Sequence, residues 1–355
     1  MTSDLPRRQL LSSLALTALP LSGPALADEL KSWDLDSLSA NTILTPNDRF
    51  FVRNHFEPPV LDVANWKLAI RGRVRRAFEI TYQDILKQPR RSLTVTVECA
   101  GNDVGGGAVS TATWTGISLQ ALLNEAGLQP GVRFVRLIGA DQGVVDALLK
   151  RPIPFARSIP LDKALSQDTI LAFQMNGVQL GSEHGHPLRA IVPGRYGMDS
   201  VKWIVRVEAL DKNDLSYFMT SRYVTARLLA TGTERTPVSR MLVKSQIIKP
   251  REGEILPAGP YTIRGAAWAG ENRISKVEVT FEEGRNWITA NLETQPPPYT
   301  WVLWQCPWTP PGSGQYTIVV RATDMEGRTQ PGSRDRLRFD QYENNSYHAV
   351  HCEIL

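Results

Sequence analysis

Thr94-Val95-Thr96-Val97-Glu98-Cys99-Ala100-Gly101-Asn102 is a β-branched run that ends on a single thiol. Its Thr/Val alternation predicts a half-buried strand. Gly101 and Asn102, followed by Gly105-Gly106-Gly107, predict a tight turn directly after it. This layout delivers Cys99 to a strand end beside bare backbone, where a thiolate is well placed to hold a soft metal. A lone cysteine is otherwise a small buried hydrophobe, so the metal reading depends on segments elsewhere in the chain.

Outward from that run, residues 46–228 mix short β-rich runs with few helices. Trp66-Lys67-Leu68-Ala69-Ile70 and Arg133-Phe134-Val135-Arg136-Leu137-Ile138 read as strands. Tyr82-Gln83-Asp84-Ile85-Leu86-Lys87 follows a Thr cap, and Ser118–Ala126 stops before Gly127, so both read as helices. Strands and helices do not alternate regularly, and the expected fold class is α+β rather than doubly wound. After Arg235-Thr236-Pro237 only strands are read, among them Gln246-Ile247-Ile248, Tyr261–Gly265, Val277–Phe281, Trp301–Trp304 and Tyr316–Ala322. Short strands separated by Pro/Gly turns predict an all-β, immunoglobulin-like sandwich. The expected organisation is an export signal over 1–27, a catalytic domain over 28–237, the sandwich over 238–339 and a polar tail over 340–355.

The 355 residues are 42% hydrophobic and 21% charged, with a formal charge of +4, ordinary values for a chain that packs a core. The basic residues are scattered and no nucleic-acid motif occurs, so no nucleic-acid partner is expected. Arg7-Arg8-Gln9-Leu10-Leu11 opens a short apolar run that Ala25-Leu26-Ala27 closes. A charged start, apolar middle and Ala-x-Ala site predict an export signal. The paired arginines resemble a twin-arginine signal, which predicts a periplasmic protein. The run is too short for a permanent membrane anchor. Cys99, Cys306 and Cys352 form an odd set, so at least one thiol is free, and Cys306 and Cys352 could pair or stay free. No Cys-x-x-Cys-His and no cysteine cluster occurs, which excludes covalent haem and iron–sulfur clusters.

Cys99-Ala100-Gly101-Asn102 resembles the molybdenum-ligand segment of the sulfite oxidase family, and four more segments match that family in the same order. The first is Phe50-Phe51-Val52-Arg53-Asn54-His55. There the resemblance implies that Arg53, Asn54 and His55 meet the molybdopterin and that Arg53 borders the substrate pocket. A fixed guanidinium is a natural partner for a phosphate or oxyanion. The second is His184-Gly185-His186-Pro187-Leu188-Arg189, which implies His184 and Arg189 on the pterin, with Arg189 on its phosphate. The third is Gly197-Met198-Asp199-Ser200-Val201-Lys202-Trp203, implying Ser200, Val201 and Lys202 as cofactor contacts. No role is assigned to Asp199. The fourth is Tyr223, at the family spacing for an active-site tyrosine whose phenol donates a hydrogen bond near the metal. Asp141 aligns with an acidic cofactor contact. The resemblance thus implies a sulfite-oxidase-type molybdopterin-binding domain, a molybdenum–molybdopterin cofactor with Cys99 on the metal, and Cys99, Tyr223 and Arg53 as catalytic residues. For the second domain it implies dimerisation, hence a homodimer. Methionine-sulfoxide reductase relatives lack that second domain.

One departure bears on substrate. Sulfite oxidases usually carry Arg soon after Cys-Ala-Gly-Asn, whereas Asp103-Val104 follow here and no Lys or Arg occurs between Arg91 and Arg133. The activity expected by resemblance is oxidation of sulfite to sulfate. With no haem encoded, electrons would leave to an external c-type cytochrome. A pocket that gains a carboxylate holds a small sulfur oxyanion less well, which motivates a different sulfur or oxo substrate, such as a sulfoxide or sulfane sulfur. A noncatalytic exported binding protein is the alternative of another class, since scaffold alone does not fix function.

Overall fold

The Cys99 run forms a strand, Arg90–Glu98, paired antiparallel with Val109–Ser118 from Arg90 opposite Ile117 to Glu98 opposite Val109. A computed structural model of the chain describes residues 43–145, 151–282, 284–293 and 297–355. The export signal expected over 1–27 lies outside the described residues. Val95 and Val97 turn into an apolar cluster with Phe50, Phe51 and Trp114. Each such side chain contributes roughly 1.5–3 kcal/mol when fully buried. The opposite face carries Thr94 and Thr96, whose hydroxyls meet those of Thr113 and Thr111 at 2.9 and 2.5 Å. The second domain covers that face too, because Trp301 N donates to Thr96 Oγ1 at 2.8 Å.

Two five-stranded sheets build the body of the first domain, and Val224–Leu229 pairs with Gly232–Pro237 in a separate two-stranded sheet. One of the five-stranded sheets contains the Cys99 hairpin, extended by Ile170–Met175, to which Val178–Gln179 and Arg189–Ile191 both pair. The other runs in the order Phe78–Thr81, Lys67–Gly72, Ile204–Leu210, Phe134–Gly143, Ile153–Pro160, with only the Lys67–Gly72 and Ile204–Leu210 pair parallel. The expected helices form. Thr81 Oγ1 accepts from Asp84 N at the start of Tyr82–Lys87, and Ser118 Oγ accepts from Ala121 N at the start of Leu119–Ala126. Gly127, at φ +67°, ends the second. These helices have only six and eight residues, and Leu161–Ala164 has four. The expectation of an α+β class is therefore corrected to a mostly β domain. The β-branched and aromatic runs dominate, and the helical stretches are too short to form a layer of their own.

From Lys244 onward two sheets share one core. Lys244–Lys249, Tyr261–Trp268, Val302–Trp308 and Asn291–Leu292 form one; Glu254–Leu256, His348–Ile354, Gly314–Asp324, Ile274–Thr280 and Ile288–Thr289 form the other. Ile263, Trp304 and Cys306 from the first meet Val277, Ile318, Val320 and Cys352 from the second. Cys306 and Cys352 are buried and unpaired. The polar tail expected over 340–355 is a further correction. His348–Ile354 is an inner strand, paired parallel to Glu254–Leu256 and antiparallel to Gly314–Asp324. Val350, Cys352 and Ile354 point inward while His351 faces solvent. The polar residues are simply the outer half of an alternating strand.

The two domains are not separate at their junction. Trp268, Trp301, Leu303 and Tyr342 join the apolar core of the first domain. No helix among the described residues is long and apolar enough to cross a membrane.

Candidate active site

Cys99 sits in the loop that closes the central hairpin. Cys99 N donates to Ala108 O at 2.9 Å, and Asn102 N donates to Cys99 O at 2.9 Å. Asn102 completes the turn: its Oδ1 accepts from Ala108 N at 2.9 Å, and its Nδ2 donates to Glu98 Oε1 at 3.0 Å. The thiol is free and partly exposed on a cavity with about 650 Å³ of empty space including its mouth. Burial pushes the Cys99 thiol up, while the Gly101 amide and the Arg53 guanidinium pull it down. Arg53, Asn54, His55, Cys99, Asp141, His184, Arg189, Ser200, Lys202 and Tyr223 all line this cavity. Segments far apart in the sequence thus converge on one space.

The 46–56 segment is anchored by Phe51 N, which donates to Ser110 Oγ at 3.2 Å. It carries Arg53 to the cavity wall and inserts His55 between aromatic rings. His55 stacks on Phe155 at 4.0 Å, and its Nε2 hydrogen-bonds the Tyr223 hydroxyl. Burial, followed by the charges of Arg222, Lys202, Arg53 and Arg157, holds His55 well below the usual imidazole range. The ring is therefore neutral at physiological pH. Burial likewise raises Tyr223 above the ordinary phenol range, so its proton stays on.

On another wall, Lys202 Nζ donates to Asn54 Oδ1 and, at 2.8 Å, to Glu183 O. Gly185, at φ +101°, brings the backbone close to both cations, and an added Cβ would lie 3.0 Å from that of Lys202 and 3.1 Å from that of Arg189. Arg189 is buried over the Trp114 ring, 4.7 Å from its centroid. It donates to His184 O and Ser200 O, each at 3.1 Å. Desolvation pushes its pKa down to about 9. His184 Nε2 bonds Asn47 O at 2.9 Å, and burial moves its pKa down to about 4. Asp141 is buried, and desolvation pushes its carboxyl up to about 6 against the pull of its own amide and Lys202.

Two expected placements differ. Val201 does not line the cavity; its carbonyl accepts from Ala190 N at 2.8 Å and its side chain is buried in the core. An apolar residue between Ser200 and Lys202 alternates away from the polar face. Asp103 was expected to add a carboxylate to the substrate pocket. Instead it is exposed and off the cavity, because the loop turns outward after Asn102.

Several residues escaped the sequence reading. Arg157 is fully buried beneath Tyr223, 5.3 Å from the ring centroid. It donates to Asp199 Oδ1 at 2.8 Å, to Val238 O at 2.8 Å and to Phe218 O. Arg195 supports the same carboxylate at 3.4 Å. An arginine inside the apolar Ile153–Pro160 run was the available signal. Glu98, beside Cys99, is buried on Lys244 and Trp268 of the second domain.

The donor set of the cavity matches the demands of a molybdopterin cofactor. Among the described residues no group of three or more His, Cys, Asp or Glu could hold a metal ion. A metal at Cys99 must then bring most of its own ligands, as a dithiolene does. Arg189 Nε and Asp141 Oδ1 are buried without a hydrogen-bond partner, and buried polar groups are normally paired. Arg53, Lys202 and Arg189 outnumber the single carboxylate on the wall, which suits an anionic, phosphate-bearing group. The residues fit.

The chain is 32% identical over 325 residues to the sulfite oxidase of Gallus gallus, covering 83% of this chain and 70% of that one. It belongs to the sulfite oxidase family of molybdopterin oxidoreductases. Residues 55–218 match the oxidoreductase molybdopterin binding domain and residues 235–354 the Mo-co oxidoreductase dimerisation domain. The mitochondrial sulfite oxidase of Homo sapiens is 31% identical over 346 residues, and this chain spans 63% of its length. The fold is similar to the sulfane dehydrogenase SoxCD of Paracoccus pantotrophus, with a TM-score of 0.77, 28% identity, and 98% and 92% of the two chains covered. The chain is thus a molybdopterin-dependent oxidoreductase whose cofactor is molybdenum–molybdopterin.

Proposed function

We propose that this oxidoreductase oxidises a small sulfur compound, with sulfite as the leading candidate, and passes its electrons to an external c-type cytochrome. The observation that carries the reading is the convergence of the Cys99 thiol, the Arg53 guanidinium and the Tyr223 phenol on one cavity. When bound, the cofactor supplies two-electron oxygen-atom transfer at sulfur. The chain's residues do the rest. Cys99 binds the metal. Arg189 and Lys202 hold the phosphate, with Asn54, His184 and Ser200 beside them. Arg53 attracts and orients an oxyanion. Tyr223 keeps its proton, and the neutral His55 ring and the Arg157 guanidinium fix the phenol in place.

A second reading, a sulfane sulfur as substrate, is favoured by one observation. The turn after Cys99 supplies no cation to the cavity, and the cation nearest that turn, Lys244, is committed to Glu98 and to two carbonyls. We further propose an immunoglobulin-like topology for the second domain, a homodimer formed through it, and a periplasmic location reached by the twin-arginine route.

Steady-state kinetics on molybdenum-loaded enzyme test the activity, with sulfite or thiosulfate as donor and cytochrome c as acceptor. Sulfite turnover with a raised Michaelis constant in Arg53→Met supports the leading reading. Turnover of thiosulfate alone replaces it with the second, and neither activity refutes both. Asp103→Arg leaves the sulfite Michaelis constant unchanged, since that side chain faces solvent.

A further inference from the structure

Glu98 precedes Cys99 and is almost completely buried. A buried carboxylate is tolerated only when paired and hydrogen-bonded. Its partners come mainly from the second domain. Lys244 Nζ meets Glu98 Oε1 at 3.0 Å, and Trp268 Nε1 donates to Glu98 Oε2 at 2.8 Å. The same ammonium also donates to Asn102 O at 2.8 Å and Asp103 O at 3.1 Å. Its three protons are thereby used, and all three acceptors belong to the Cys99 turn or the residue before it. Gln246, two residues along the same strand, donates to Gly105 O at 3.1 Å.

One further bond reaches the turn from the same domain: Glu343 N donates to Ala100 O at 2.8 Å. The turn's own bonds run from Cys99 N to Ala108 O, Asn102 N to Cys99 O and Gly106 N to Asp103 O, with Asn102 tying Glu98 to Ala108. Glycines occupy positions 101 and 105–107, and such backbone loses more entropy on ordering than any other.

We propose that Lys244 and Trp268 are positioning residues for the metal site. Through Glu98 and the carbonyls of Asn102 and Asp103, the second domain holds the Cys99 turn in the conformation that presents its thiol to the cavity. The inference rests on Cys99 being the molybdenum ligand. On this account the domain whose family model is a dimerisation module also completes the metal site of its own chain.

The test uses the full-length, molybdenum-loaded enzyme. Alkylation of Cys99, Cys306 and Cys352 by iodoacetamide is followed by mass spectrometry, with molybdenum content measured in parallel. Lys244→Met leaves the buried Glu98 charge without its counter-ion and frees the carbonyls of Asn102 and Asp103, so the Cys99 rate should rise by about tenfold or more through local opening, with loss of molybdenum in step. Trp268→Phe removes one hydrogen bond without stranding a charge, so the same change should appear in smaller measure. It also serves where Lys244→Met fails to accumulate. Trp301→Phe is the control: it deletes a bond to Ile43 O at the same domain junction without touching the turn, and the Cys99 rate should stay at the wild-type value. Cys306 and Cys352, buried in the sandwich core, report global opening and should not change. An unchanged Cys99 rate in Lys244→Met and Trp268→Phe overturns the proposal. So does an equal rise in Trp301→Phe, or a rise shared by all three cysteines. If Cys99 of the loaded wild type reacts as fast as an exposed thiol, the ligand assignment itself fails and takes the proposal with it.

Discussion

At the scale of single residues, burial sets the chemistry of the cavity. Asp141 has a folded pKa of about 6 against 3.8 for the free side chain. The folded state therefore holds its proton more tightly than the unfolded state, and stability falls as pH rises between those values. Before relaxation the penalty is about 3 kcal/mol at neutral pH. Asp141→Asn removes it, so the cofactor-free variant should melt higher than wild type at pH 7. The two should converge near pH 4, as scanning calorimetry across that range can check. Arg157 acts in the opposite sense. Its guanidinium neutralises Asp199 at 2.8 Å and underlies the Tyr223 ring. Arg157→Met leaves Asp199 with only Arg195 at 3.4 Å and should cost about 3–5 kcal/mol, read from urea unfolding.

At the scale of elements, the central hairpin positions everything else. Val109–Ser118 is buried along almost its whole length, and Arg90–Glu98 is buried from Val95 onward, so small changes there are felt. A Cβ on Gly116 would lie 2.1 Å from Leu171 O of the adjoining strand, a backbone contact that cannot step aside. Gly116→Ala should lower stability by about 1–3 kcal/mol, visible as a lower urea midpoint with an unchanged slope. The first strand of this hairpin and the turn after it were legible in the sequence because their signals are local, β-branched alternation, a thiol and a glycine-rich stretch, whereas the pairing with Val109–Ser118 was not. The wall residues Arg53, His55, Arg189 and Lys202 were reached through three short segments that resemble the sulfite oxidase family. The pairs that support them were not. Arg157 reaches Asp199 across 42 positions and Lys244 reaches Glu98 across 146, and no local pattern encodes such a distance. His348–Ile354 was missed for a different reason. It follows the polar stretch 340–347, and only its period of two marks Val350, Cys352 and Ile354 as core. Asp103 was misplaced because sequence distance from Cys99 says nothing about which way a turn bends.

At the scale of the whole molecule, the two domains meet through shared core and shared charge. Trp268 contributes to both, packing in the first domain's core and bonding Glu98. The second domain is therefore expected to serve two interfaces, one within the chain and one between chains. Sedimentation equilibrium of the full-length protein at micromolar concentration should give the mass of a dimer; a monomer would remove the intermolecular role and leave the intrachain one intact. Truncation before Val238 should expose the apolar surface beneath Trp301 and Leu303 and give an aggregating product. The proposed activity and the intrachain role both depend on Cys99 supplying the protein's thiolate to a molybdenum held in this cavity. X-ray absorption at the molybdenum edge, on wild type and on Cys99→Ser with metal still bound, tests it most directly. One sulfur neighbour fewer is expected in the variant, together with lost turnover and an unchanged fold. An identical sulfur shell in the two proteins would contradict it.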